Sequence, residues 1–101
     1  MMTANERQQV LAYLRKHKDE FASTYGVISI GLFGSVVRDE QSIDSDIDIA
    51  IEMDAQKKNM RNFMAFKRHL EEQFGRGIDL GIESSLKDFV RRRIAKEILY
   101  V

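Results

Sequence analysis

The chain has 101 residues, enough for one modest hydrophobic core, with 44% apolar and 32% charged residues. Sixteen basic residues cancel sixteen acidic ones, so no global positive field argues for general nucleic-acid binding. With no cysteine there is neither a disulfide framework nor a thiolate metal site, and no apolar run is long enough to span a bilayer.

In chain order, Thr3 and Glu6 have the spacing of a capping box, opening a first helix. Val10, Leu11, Leu14 and Phe21 trace its apolar stripe, and Tyr25-Gly26 closes it. His17 falls among charged residues and is read as a solvated surface group. Val27 to Phe33 is β-branched and apolar, the pattern of a buried strand. Gly34-Ser35 breaks that run and offers backbone N–H groups and a hydroxyl of the kind that hold phosphates.

A polar connector, Arg38 to Ser45, leads to Asp46-Ile47-Asp48-Ile49-Ala50-Ile51-Glu52, which alternates with the period of a strand. The isoleucines face one way and Asp46, Asp48 and Glu52 the other. At ~3.3 Å per residue the two aspartates lie about 6.6 Å apart on one face. Like charges so placed repel, and aspartate is a poor strand former. A hard divalent cation such as Mg²⁺ removes that penalty, taking one or two carboxylates and sharing its other positions with water and substrate phosphates. Phosphate cradle and acidic pair together suggest phosphoryl or nucleotidyl transfer. Asp44, Asp46 and Asp48 also imitate the start of a calcium loop, but Ile49 and Ala55 stand where that loop requires glycine and a bidentate glutamate.

Lys57 to Phe74 reads as a second long helix whose Met60, Phe63, Met64, Phe66, Leu70 and Phe74 form a core face, with Lys67, Arg68 and His69 solvated. Gly75-Arg76-Gly77 ends it in a flexible turn, without the further residues of a dinucleotide or Walker loop. Ile78 to Ile82 is the next strand and carries Asp79. Ser84 or Ser85 then caps a last helix with the stripe Leu86, Phe89, Val90, Ile94 and Ile98. Arg91-Arg92-Arg93 cannot share one helix face and reads mainly as a solvated charge run, with a substrate-phosphate or RNA contact as the lesser reading. The tail, Ile98 to Val101, is apolar, and either completes the core or forms a patch for another subunit.

Gly34, Ser35 and Arg38, followed by Ser45, Asp46, Ile47 and Asp48, carry a resemblance to the minimal nucleotidyltransferase group of the DNA polymerase β superfamily. The resemblance covers nearly the whole chain and implies a single domain over residues 1–101. Its fold would be α/β (α+β), a small mixed sheet flanked by helices as in the polymerase β palm core. It implies Asp79 as a third carboxylate, so that Asp46, Asp48 and Asp79 are the expected catalytic and metal-binding residues. Gly34, Ser35, Arg38 and Ser45 are the expected nucleotide-binding residues, Arg38 being equally readable as an ion-pair partner of Asp39 or Glu40. One or two Mg²⁺ ions and ATP or another NTP are the implied cofactor and substrate. Minimal members of the family are similar to antitoxins paired with an all-helical HEPN toxin, and some transfer AMP to a tyrosine of that toxin. The implied setting is cytoplasmic, and the acceptor surface would come from a partner or a second copy of the chain. Asp39 departs from the family glycine, adding charge and removing backbone freedom beside the phosphate loop. The alternative reading is therefore a non-catalytic antitoxin that silences its partner by complex formation.

Overall fold

A computed structural model describes residues 6–40, 42 and 45–101. Thr3 of the capping box and Asp44 of the rejected calcium loop lie outside them. Two helices, α1 (Glu6–Lys16) and α2 (Lys18–Tyr25), lead into strand β1 (Val27–Phe33) and a 3₁₀ turn at Gly34–Val36. Strand β2 (Ile47–Met53), helix α3 (Met60–Phe74) and strand β3 (Ile78–Ile82) follow, then helix α4 (Asp88–Ala95) and a two-residue strand β4 (Leu99–Tyr100). The sheet order is β3-β2-β1-β4, with β2 and β3 parallel and the other pairs antiparallel. This is the expected small mixed sheet flanked by helices.

Alternation along the strands divides the sheet into two unlike faces. Ile30 and Leu32, with Ile47, Ile49, Ile51, Ile78 and Leu80, are buried with Val10, Leu14, Phe21, Phe66 and Leu70 from the helices. The other face is built in rows. Gly31 pairs with Ala50 and Ala50 with Gly81; one step along, Phe33 pairs with Asp48 and Asp48 with Asp79. The first row is nearly free of side-chain bulk. The second carries the carboxylates.

Several expectations are corrected by local chemistry. The first helix is two, because His17 takes φ −106° and ψ 10° and leaves the helical region. Its ring is tied to Glu20 at 2.9 Å and packs on Tyr13, so it is more than a solvated group. His69 is likewise engaged, its Nε2 2.8 Å from the Tyr13 hydroxyl within an aromatic cluster that includes Phe21 and Tyr25. Helix α3 starts at Met60 instead of Lys57, because Asn59 accepts the Asn62 N–H at 2.8 Å and caps it there. Met60 itself is 70% exposed and lies outside the core. Strand β1 is not buried throughout: the register slips between Val27 and Ser29 and leaves Ile28 exposed.

Neither Ser84 nor Ser85 caps the last helix. They belong to a 3₁₀ turn, and the Ser84 hydroxyl and N–H both donate to Glu52, at 3.0 and 2.7 Å. Of the stripe foreseen for that helix only Ile94 is buried, and Phe89 is open to solvent. The apolar tail becomes an edge strand: Tyr100 pairs with Gly31, and the Val101 N–H donates to the Ile30 carbonyl at 3.0 Å. No described helix is long and apolar enough to cross a membrane.

Candidate active site

Strand pairing brings two of the three foreseen carboxylates together. Asp48 and Asp79 are direct partners across the parallel β2–β3 ladder, both on the face away from the core. Asp48 is half-buried and Asp79 exposed. Burial, the Asp79 charge and hydrogen bond, and the Asp46 charge push the Asp48 carboxyl up from 3.8 to about 6, against a smaller opposing pull from Arg38. A carboxyl so raised is an uncompensated one, the state that a cation relieves.

Asp46 sits just before β2, and its carboxylate lies against the Cα of Gly77, where any side chain would collide with it. Among the described residues no three carboxylate or imidazole groups are gathered closely enough to grip an ion as they stand. The donor set nevertheless suits Mg²⁺. It is all oxygen, it includes a facing pair in register, and Mg²⁺ needs only one or two protein carboxylates when phosphates supply the rest.

Gly34 ends β1 directly beside this pair. Its φ is +80°, a conformation open to glycine, and a methyl group there would strike the Asp48 carboxylate. The Gly34 N–H is directed at an anion, the Glu97 carboxylate, 2.7 Å away. Arg38 donates from Nη1 to both Glu97 oxygens at 2.9 and 3.0 Å and from Nε to Glu40 at 2.9 Å, which realises its ion-pair reading. Burial pushes the Glu97 carboxyl up, but Arg38, the Gly34 N–H and the nearby charge of Arg93 together hold it below the usual range. A cleft of about 260 Å³ opens here, lined by Gly34, Arg38, Val90, Arg93, Ile94 and Glu97.

Ser35 lies in the 3₁₀ turn, its carbonyl accepting the Glu40 N–H at 2.9 Å. The Ser45 hydroxyl accepts the Ser42 N–H at 2.9 Å, and its carbonyl is held by the Arg76 guanidinium. Arg76 also reaches the Ser42 carbonyl and pairs with Glu6, while the Ile47 N–H donates to the Gly77 carbonyl at 2.9 Å. The Gly75-Arg76-Gly77 segment is therefore a clamp on the approach to β2 as well as a helix end. Its signal in the sequence was an arginine between two glycines. Glu97 had no comparable signal, since its partners Gly34 and Arg38 are about sixty residues away, whereas Arg93, noticed within the charge run 91–93, acts on Glu97 four residues further along.

Comparison with known proteins follows the same lines. The sequence model described as a nucleotidyltransferase domain matches residues 14–101. A protein adenylyltransferase, MntA, of Thermococcus cleftensis is 35% identical over 101 residues, spanning 100% of this chain and 98% of that protein. A "putative protein adenylyltransferase" of Methanocaldococcus jannaschii is 35% identical over 103 residues, covering 100% of both. Among solved structures, a "putative minimal nucleotidyltransferase" superposes with a TM-score of 0.75 at 24% identity, over 90% of this chain and 92% of that one. A toxin–antitoxin structure with AMP-PNP gives a TM-score of 0.67 at 20% identity, over 94% of this chain and 71% of that one.

Proposed function

The chain belongs to the nucleotidyltransferase domain family, and on that premise we propose that it is a Mg²⁺-dependent enzyme transferring AMP from ATP to a hydroxyl of a partner protein. The observation that carries this reading is the in-register pair Asp48–Asp79 beside the Gly34 turn. In this reading residues 1–101 act as one cytoplasmic domain and as the antitoxin of a HEPN toxin, which supplies the acceptor. Two features support that assignment: relatives named as protein adenylyltransferases, and fold neighbours that are toxin–antitoxin structures.

Asp46, Asp48 and Asp79 would hold the metal, which when bound neutralises triphosphate charge and lowers the pKa of an acceptor hydroxyl. The Gly34 N–H, the Ser35 hydroxyl and the Arg38 guanidinium would orient the phosphates, and Ser45 would fix the polar edge of the loop. The acceptor oxygen attacks the α-phosphorus, an O–P bond forms, and the bond to the β-phosphate oxygen breaks as pyrophosphate leaves. Asp79, the more exposed of the facing pair, takes the hydroxyl proton. Positioning and charge neutralisation supply most of the acceleration.

The alternative of a purely occluding antitoxin rested on Asp39. That residue is exposed and adopts φ 60°, the left-handed conformation a glycine would take, and aspartate is among the side chains that tolerate it. The turn thus keeps a glycine-like backbone, which favours catalysis over occlusion alone. Incubating the protein with α-labelled ATP, Mg²⁺ and the product of the adjacent gene tests the proposal. Label on the partner that disappears with Asp46→Ala or Asp48→Ala is the expected result. A partner bound and silenced without label would refute the enzymatic reading.

A further inference from the structure

Two of the three donors assigned above to the triphosphate, the Gly34 N–H and Arg38, already hold an anion, and it belongs to the protein. Glu97 receives the Gly34 N–H and two bonds from the Arg38 guanidinium, with Arg93 lining the same cleft. A carboxylate and a phosphate share the chemistry that matters here, since both present charged, acceptor-only oxygens to charged or backbone donors. Resting on the nucleotide-binding reading, we propose that Glu97 is a built-in occupant of the phosphate cradle, displaced by the triphosphate, so that nucleotide uptake frees the Glu97 carboxylate and shifts the turn that carries it.

The turn can move while the strand beyond it stays anchored. Glu97 lies in the turn between α4 and β4, held locally by N–H donation from Glu97 and Ile98 to the Ile94 carbonyl at 2.9 Å. Beyond it, β4 joins the outer edge of the sheet through Leu99 and Tyr100, and is fastened there by the Val101 N–H on the Ile30 carbonyl, Lys18 on the Val101 carbonyl and the Tyr100 hydroxyl on Glu83. The arginine that Glu97 gives up is not stranded, because Arg38 keeps Glu40 on its solvent side. An incoming triphosphate brings more charge than one carboxylate and meets Arg38 and Arg93 together.

Calorimetric titration with Mg·ATP tests this on the wild type, Glu97→Gln and Glu40→Gln. Both substitutions remove one negative charge near Arg38, but only the first empties the cradle of a charged competitor. If the cradle is closed in roughly nine molecules of ten, Glu97→Gln tightens binding about tenfold, while Glu40→Gln stays within about twofold. In ¹⁵N NMR spectra of the wild type, the amides of Gly34, Glu97 and Ile98 shift on saturation with Mg·ATP. Wild-type binding that Glu97→Gln leaves unchanged or weakens would overturn the proposal and leave the nucleotide site standing. An equal gain from Glu40→Gln would overturn it too, as a simple charge effect on Arg38. Should the Glu97 variant melt early, stationary amides at Gly34, Glu97 and Ile98 in the saturated wild type refute the proposal on their own. Absence of nucleotide uptake by every protein removes the underlying reading, and this one with it.

Discussion

Replacing Asp48 by asparagine should stabilise the metal-free protein while ending its chemistry. The Asp48 carboxyl rises from 3.8 to about 6 on folding, first through burial and then through the charges of Asp79 and Asp46. At about 1.4 kcal/mol per factor of ten, such a rise corresponds to roughly 3 kcal/mol, and screening at a half-buried site brings it to about 1–2 kcal/mol. The sign follows from proton counting. Between pH 4 and pH 6 the folded chain holds a proton at Asp48 that the unfolded chain has lost, so this group makes stability fall as pH rises through that window, and the loss is complete by about pH 7. Asp48→Asn cannot ionise and escapes the fall. Thermal melts followed by circular dichroism in EDTA should therefore place the variant about 5–10 °C above the wild type at pH 7.5, with little difference near pH 4. Mg·ATP should then raise the wild-type melting temperature and leave the variant where it was. A variant no more stable than the wild type at pH 7.5, or a gap that does not close toward pH 4, would refute the reasoning.

Three further outcomes are expected. Gly34→Ala forces a side chain into a left-handed residue and against the Asp48 carboxylate, so it should lose about 2 kcal/mol in urea melts and bind nucleotide poorly in calorimetry. Asp39→Gly relieves a left-handed aspartate but loosens the unfolded chain, so its melting temperature should stay within about 4 °C of wild type, with tighter Mg·ATP binding as a negative charge leaves the loop. Tyr100 donates to the Glu83 carboxylate at 2.6 Å, and that bond, burial and the carboxylate charges push its phenol up to about 12. Glu83→Gln should bring it back toward 10, read as an earlier rise in phenolate absorbance at 295 nm.

What the sequence disclosed and what it withheld divide along physical lines. The strands at 27–33 and 78–82 were legible to the residue, because β-branched runs bounded by glycine and polar turns have few other uses. Ile47 to Ile51 were legible through alternation, which also set Asp48 on the face away from the core. The meeting of Asp48 with Asp79 required knowing that β3 lies beside β2 in parallel, and no local pattern states that. Helix limits were less legible: Asn59 outcompetes the lysines before it by capturing an N–H, and the break at His17 has no glycine or proline to announce it. Contacts made across some sixty residues were out of reach. Glu97 on Gly34 and Tyr13 on His69 depend on how α4 and α3 settle against distant partners.

One alternation produces both the stability and the site. Sliding β3 by one residue against β2 would turn Ile78 and Leu80 outward and press the Asp79 carboxylate into the layer now filled by Ile49 and Phe66. Each aliphatic side chain so exposed costs about 1.5–3 kcal/mol, and an unpaired buried carboxylate costs several more. The correct register therefore wins by a margin well above the roughly 1–2 kcal/mol that the crowded charge at Asp48 takes away. The acidic row is tolerable because the isoleucines behind it lock the pairing, and the locked pairing is what sets two carboxylates side by side. Weakening that core, as Ile49→Ala would, should thus blur the Asp48–Asp79 pair along with the fold. Replacing the carboxylates themselves should leave the register intact.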